Sequence, residues 1–304
     1  METKNTEIAD LIMNGSRQIT SSRRAALALG GAALAGLALA RPRRAFAQTT
    51  IGDPDILNFA LNLEYLEAQY YTLATQGVTI DTLGIGITGG NGAPGGTVTV
   101  KPGPIVPFVT PLLQDFAVEL AAEERIHVTF LRSALGTAAV AMPNIDLLNS
   151  FNALASAAGL GSTFDPFASE LNFLLGAFIF EDVGVTAYHG AAGLISNPAY
   201  LTAATGIMGT EAYHSGSVRT RIYAAGTAAQ QAATAIANTR SKLDGTGNDD
   251  IGVGTLSTGA ATIVDADSNA IAFSRTTTQV LSIVYGGGSG GGAFYPNGLN
   301  GTIK

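Results

Sequence analysis

Cysteine and tryptophan are both missing from this 304-residue chain, and histidine occurs only three times. The absence of thiols excludes disulfides, thiolate metal sites, iron–sulfur clusters, cysteine-linked haem and cysteine nucleophiles. Any metal site must then be built from oxygen and nitrogen ligands. Charge is sparse too: Asp, Glu, Lys and Arg make up 13% of the residues, against 46% hydrophobic ones. Beyond residue 47 there are 9 Lys and Arg against 20 Asp and Glu, a formal charge of −11 with no basic cluster. Such a chain is a poor partner for nucleic acid.

The first 47 residues read as an export signal. Arg23-Arg24 precede an apolar run from Ala25 to Ala40, followed by RPRR and then Ala45-Phe46-Ala47. This order of charged, apolar and small residues predicts cleavage after Ala47, and the paired arginines favour the twin-arginine route. The Ala- and Gly-rich run is too short and weak for a good membrane span, so no stable membrane insertion is expected after cleavage. The competing reading is an uncleaved anchor or a disordered tail. The expected destination is the periplasm or the exterior. A route that carries folded proteins suits a chain that needs no disulfides.

Punctuation by Pro, Gly and capping residues divides the remainder, which is long enough for one sizeable core. Asp53-Pro54 opens a helix to Thr75, and a Gly- and Pro-rich insert covers 77–104, with a small hairpin expected at TVTV (97–100). Further helices are expected from Pro107 to Leu135, Ile145 to Ala158, Asp165 to Ile195, Asn197 to Ala225, and through TAAQQAATAIANTRSKL. Residues 246–304 read as turns, short strands and a helix near Thr277 to Tyr285, an extension packed on the preceding part (48–245). Four long helices with a long first connection predict an all-α bundle.

The scarce carboxylates fall in places that ought to be core. Only eight Glu follow residue 47, and Glu181-Asp182 sits in the middle of LNFLLGAFIFEDVGVTAYHGAAGLI. A lone carboxylate there is costly unless it is neutralised, paired or bound to metal. The four long helices supply Glu64, then Glu124 and His127, then Glu181, then Glu211 and His214. Residues three apart on a helix differ by about 60° around its axis, so each Glu-x-x-His pair shares a face. One Glu from each of two helices, plus Glu-x-x-His from each of the other two, is the ligand set with which bundles hold two carboxylate-bridged metal ions. Carboxylates bridge and neutralise cations, and imidazole suits iron, manganese or zinc.

A second regularity repeats across the halves. Tyr71 follows Glu64 by seven residues and Tyr188 follows Glu181 by seven, close to two turns, so each Tyr lies on the face of its Glu. Each half therefore reads Glu-x6-Tyr and then Glu-x2-His. Glu67, one turn from Glu64, competes with it as a ligand or serves as a nearby base; Glu64 is favoured because it alone keeps the Tyr at +7.

NFALNLEYLEAQYYTLA, FEDVGVTAYHGAA and the terminal FYPNGLNG resemble the ferritin-like superfamily, and within it the secreted branch of plant desiccation-related and fungal stress-induced proteins. The resemblance spans about residues 53–300. It implies a ferritin-like four-helix bundle with a di-metal centre, whose ligands fall on Glu64, Glu124, His127, Glu181, Glu211 and His214. The Gly-rich insert between the first two helices and the C-terminal extension depart from the pattern, so the cage of iron-storage ferritins is not carried over.

The other polar residues receive plainer readings. Glu123, about 100° from Glu124, is expected in solvent or paired with Arg125 or Arg132. Asp182 is either a partner for a ligating His or a surface group, and His189 a packing histidine. Tyr71 and Tyr188 are candidates to bond ligands or pass electrons, or are aromatic core. The functional expectation is redox handling of peroxide or dioxygen by two iron or manganese ions, with zinc a lesser option, in stress protection. The alternative is a non-catalytic protective protein whose metal site is structural or vacant. A homo-oligomer is compatible with either.

Overall fold

The computed structural model describes residues 51–247 and 249–304; the expected export signal lies outside them. Helix α1 runs Asp53–Gln76 and ends where Gly77 turns left-handed (φ 71°) and donates its N–H to Leu73. Its cap is Gly52, not Asp53: the Gly52 N–H bonds Asp55 Oδ2 at 2.9 Å. Asp53 instead accepts from the N–H groups of Ser196 and Asn197 at 2.9 and 2.8 Å, tying the start of α1 to the start of a later helix.

Helix α2 spans Pro111–Leu135, four residues later than Pro107. Glu170 accepts from the N–H groups of Val109 and Thr110, both at 2.6 Å, which holds that approach extended. The expected hairpin at TVTV is absent: Val98–Thr99 (β1) pairs in parallel with Ile145–Asp146 (β2). That pairing delays the next helix, α3, to Asn149–Ala157, with Asp146 Oδ1 accepting from Leu148 and Asn149. Gly96 makes the contact possible, because a Cβ there would collide with the backbone at Pro143 and Asn144.

Helix α4 is Glu170–Ala192, capped by Ser169 Oγ at the Asn172 N–H. Asp165-Pro166 forms the turn before it instead of the helix start. Among the described residues α4 is the one helix long and apolar enough to cross a membrane, but 89% of its apolar window is buried in the protein, as befits a core helix. Helix α5, Pro198–Ala224, is capped by Asn197 as expected. Helices α6 (Thr227–Asp244) and α7 (Thr277–Val284) follow.

Hydrogen bonds fix the packing sense. Asn58 reaches Ala138, Tyr65 meets Arg132, and Thr72 meets Arg125, so α1 and α2 run antiparallel. The α4–α5 pair is also antiparallel: Asp182 meets Ser215 and Arg219, while Gly184 abuts Glu211. α1 is buried on nearly every side from Ile56 to Ala74. The last segment completes its cover: Tyr295 Oη donates to Asn62 O at 2.8 Å, and Asn62 and Asn300 exchange two bonds of 2.8 and 3.1 Å.

The C-terminal region holds isolated bridges (Thr255 with Ala261, Ala266 with Ala272) where short strands were expected. Buried arginines anchor it. Arg240 joins Asp182 of α4 to Asp250, Arg219 joins Asp182 to the carbonyls of Ile251 and Thr262, and Arg275 joins Asp244 to Asp250. Burying such charges is tolerable because every head is paired and hydrogen-bonded.

Candidate metal centre

Four helices aim carboxylates and imidazoles at one point in the core. α1 contributes Glu64 and Glu67, α2 Glu124 and His127, α4 Glu181, and α5 Glu211 and His214, all buried. Six of the seven assemble into two nests. Glu64, Glu124, His127 and Glu211 form one; Glu124, Glu181, Glu211 and His214 form the other, with the ligand atoms of each within 4.8 Å of one another. Glu124 and Glu211 belong to both. Glu124 extends one oxygen to each side: Oε2 lies 3.3 Å from His127 Nδ1 and Oε1 lies 3.1 Å from His214 Nδ1. His127 Nδ1 is also 3.2 Å from Glu64 Oε2 and 3.5 Å from Glu211 Oε1, while His214 Nδ1 is 3.4 Å from Glu181 Oε2.

Burial and mutual proximity shift these groups from their ordinary ranges. Burial pushes Glu64 up to about 7, against the pull of His127. Glu211 is raised well above the carboxylate range by burial and by the charges of Glu124, Glu67 and Glu181. Burial acts on Glu124 in the same sense, but His127 and His214 together carry it far below the usual range. Burial opposes charge on His127, yet Glu64 and Glu124 push it up to about 12; Glu181 and Glu124 raise His214 likewise.

The donor set of each nest fits a metal ion. Glu124 Oε1, Glu181 Oε2, both oxygens of Glu211 and His214 Nδ1 are buried without a hydrogen-bond partner. His214 Nδ1 and Glu124 Oε1 are thus close in distance but misaligned for a hydrogen bond, as two donors directed at a common ion would be. Carboxylates offset the charge of a cation, and such a site needs its imidazoles neutral. Gly184 of α4 lets the shared carboxylate in, since a Cβ built on it would overlap Glu211 Oε2.

Around the nests lie residues that orient them. Tyr71 Oη donates to Glu181 Oε1, and Tyr188 Oη donates to Glu64 Oε1. Each tyrosine thus serves the carboxylate of the opposite helix, not the one seven residues before it. Glu67 stays outside both nests, buried with Oε2 unpartnered and its carboxyl raised well above the usual range by burial and neighbouring carboxylates.

Glu123 corrects the sequence expectation. Its Oε2 lies 2.7 Å from His214 Nε2, the carboxylate–imidazole arrangement that orients a metal-binding histidine. Arg125 and Arg132 turn elsewhere, to Thr72 and to Tyr65 and Thr88. Helix periodicity could not reveal this partner, because it comes from another helix 91 residues on. Asp182 faces neither histidine nor solvent but Arg219, Arg240 and Ser215. His189 bonds the Phe273 carbonyl at 3.0 Å and joins neither nest.

Residues 52–224 match the ferritin-like domain family. The chain belongs to that family. It is 27% identical to a desiccation-related protein of Craterostigma plantagineum, PCC13-62, over 75% of this chain and 76% of that one. It is 26% identical to the ferritin-like catalase Nec2 of Nesocodon mauritianus, over 83% and 84% of the two chains. No solved structure matches it.

Proposed function

We propose that the protein carries two redox-active metal ions, iron or manganese, and uses them to consume hydrogen peroxide, converting two molecules into two of water and one of dioxygen. The observation that carries this reading is the pair of nests sharing Glu124 and Glu211. The catalase named among its relatives supports the choice of peroxide. When bound, the metal pair would supply the exchange of two electrons that peroxide dismutation needs.

The protein's own groups position and neutralise. Glu64, Glu124, His127, Glu211, Glu181 and His214 are the proposed ligands. Tyr71 and Tyr188 keep Glu181 and Glu64 from swinging, and Glu123 holds His214 by its far nitrogen. Glu67, with one unpartnered oxygen beside the centre, is placed to hold a proton there. Export by the twin-arginine route, with cleavage after Ala47, would deliver the folded, loaded protein to where stress-borne peroxide arrives.

Elemental analysis of protein exported by its own pathway, combined with an oxygen electrode, tests this. The expected result is two iron or manganese ions per chain and dioxygen release from peroxide, both lost in Glu211→Ala. Two bound metals with no turnover of peroxide or dioxygen would favour the second reading, a protective protein with a structural metal site. The desiccation-related relative supports that reading.

A further inference from the structure

Two apolar cavities share wall residues, and one of them reaches a carboxylate beside the nests. The inner one is enclosed by Leu66, Val183, Ile283 and Phe294, and it reaches Glu67 and Gly184. Gly184 is also the residue against which Glu211 rests, so this void and a shared carboxylate have Gly184 in common. It is narrow, a cavity of about 10 Å³, room for one small molecule. Every other wall residue is apolar; the single carboxylate is that of Glu67, whose Oε2 is buried and unpartnered.

The outer cavity lies between α3, α6 and α7, with half-buried Leu154, Leu160 and Leu243 at its rim. Its single charged neighbour, Arg240, has its guanidinium engaged by Asp182, Asp250 and the Phe178 carbonyl. Ile179 and Ile283 line both cavities, and both are almost fully buried. They are the wall residues that the two cavities have in common.

We propose that these two cavities form a path for dioxygen between solvent and the centre, with Ile179 and Ile283 as its gate. The walls select by chemistry. An ion or a molecule rich in hydroxyls loses its water there without replacement hydrogen bonds, and an anion also meets the carboxylates of the centre. A neutral apolar diatomic loses almost nothing and fits the width. The gate is half α4 and half C-terminal segment, which assigns the extension a role in the site. This inference rests on the functional reading above in that dioxygen is taken to be a product or a substrate of the centre.

Xenon stands in for dioxygen in crystals of the full chain, and nitric oxide reports entry to the iron-loaded protein by stopped-flow absorbance. Xenon is expected in both cavities. Ile283→Phe is expected to slow nitric oxide binding by about tenfold through overpacking of the gate, and Ile283→Ala to speed it. Azide binding and metal content should be unchanged in both. If the Phe variant fails to fold, the Ala variant and the xenon maps still decide the matter. Cavities without xenon, or nitric oxide rates indifferent to residue 283, would overturn the path even if peroxide turnover stands. Xenon in place and rates that follow residue 283, in a protein with no turnover, would uphold the path and overturn the functional reading.

Discussion

Tyr71 of α1 donates a hydrogen bond to Glu181 of α4, and Tyr188 of α4 donates one in return to Glu64 of α1. The two exchanges relate the halves of the bundle by an approximate two-fold. Burial and the adjacent carboxylates raise both phenols well above their ordinary range, so both remain protonated donors. Each fixes Oε1 of its partner and leaves Oε2 turned to the centre.

Removing either hydroxyl should therefore loosen the centre without emptying the core. Tyr71→Phe and Tyr188→Phe are each expected to weaken metal binding by about 10- to 100-fold, the usual cost of losing an outer partner of a ligand. Competition with a chelator measures this. Affinities equal to wild type in both variants would refute the assigned role.

Glu123 makes a sharper test, because it lies partly in solvent and contributes little to packing. Glu123→Ala should lower metal affinity by roughly 10-fold or more through loss of the His214 contact, whereas Glu123→Gln should retain most of it. Exposed Glu119, one turn away on α2, is the control: Glu119→Ala is expected to bind metal as wild type does.

Gly184→Ala places a methyl group where Glu211 Oε2 now sits. Overpacking of this kind costs about 1–3 kcal/mol, and here the group that must move is a carboxylate common to both nests. Elemental analysis should find fewer than two ions per chain in a protein that still melts cooperatively. Full loading would show that Glu211 has room to shift.

The buried charges around Asp182 join the C-terminal extension to the bundle. Asp182→Ala leaves Arg219 and Arg240 short of a partner, and breaking such a pair typically costs about 3–5 kcal/mol. Thermal unfolding should show the loss. Limited proteolysis should begin in the segment beyond residue 249.

Raised buried carboxyls, Glu64 and Asp265 among them, make the stability of metal-free protein fall with pH. Burial raises Glu64 to about 7, and burial with Asp182 and Asp250 raises Asp265 to about 7. A raised value means the folded state holds its proton more tightly. The contribution is complete below the ordinary values of 4.5 and 3.8 and is lost as pH climbs through 7. The melting temperature of metal-free protein should drop between about pH 5 and 8. Asp265→Asn should flatten that fall, and a profile of unchanged slope would contradict the assignment.

Much of the fold was legible because its signals are local. Pro198 behind Asn197 and Gly77 behind Gln76 bound their helices in the structure as they do in the sequence. Where a distant segment competed, local reading failed: Val98 took Ile145 as a parallel partner, and Glu170 straightened the chain before Pro111. The Glu-x-x-His pairs could be seen because three residues make nearly one turn. The Glu123–His214 and Tyr71–Glu181 contacts could not, because no spacing along the chain encodes which helix lies opposite.

Residue order by itself determined that any metal must be met by oxygen and nitrogen, that six candidate ligands lie on four helices, and that each half repeats the other. These follow from composition and the helical period. Only the tertiary structure decided that Glu124 and Glu211 are shared, that the tyrosines cross between halves, that Glu67 stands apart, and that the C-terminal segment walls the centre. Those depend on how helices from distant parts of the chain pack around a buried charge cluster, which no spacing along one helix records.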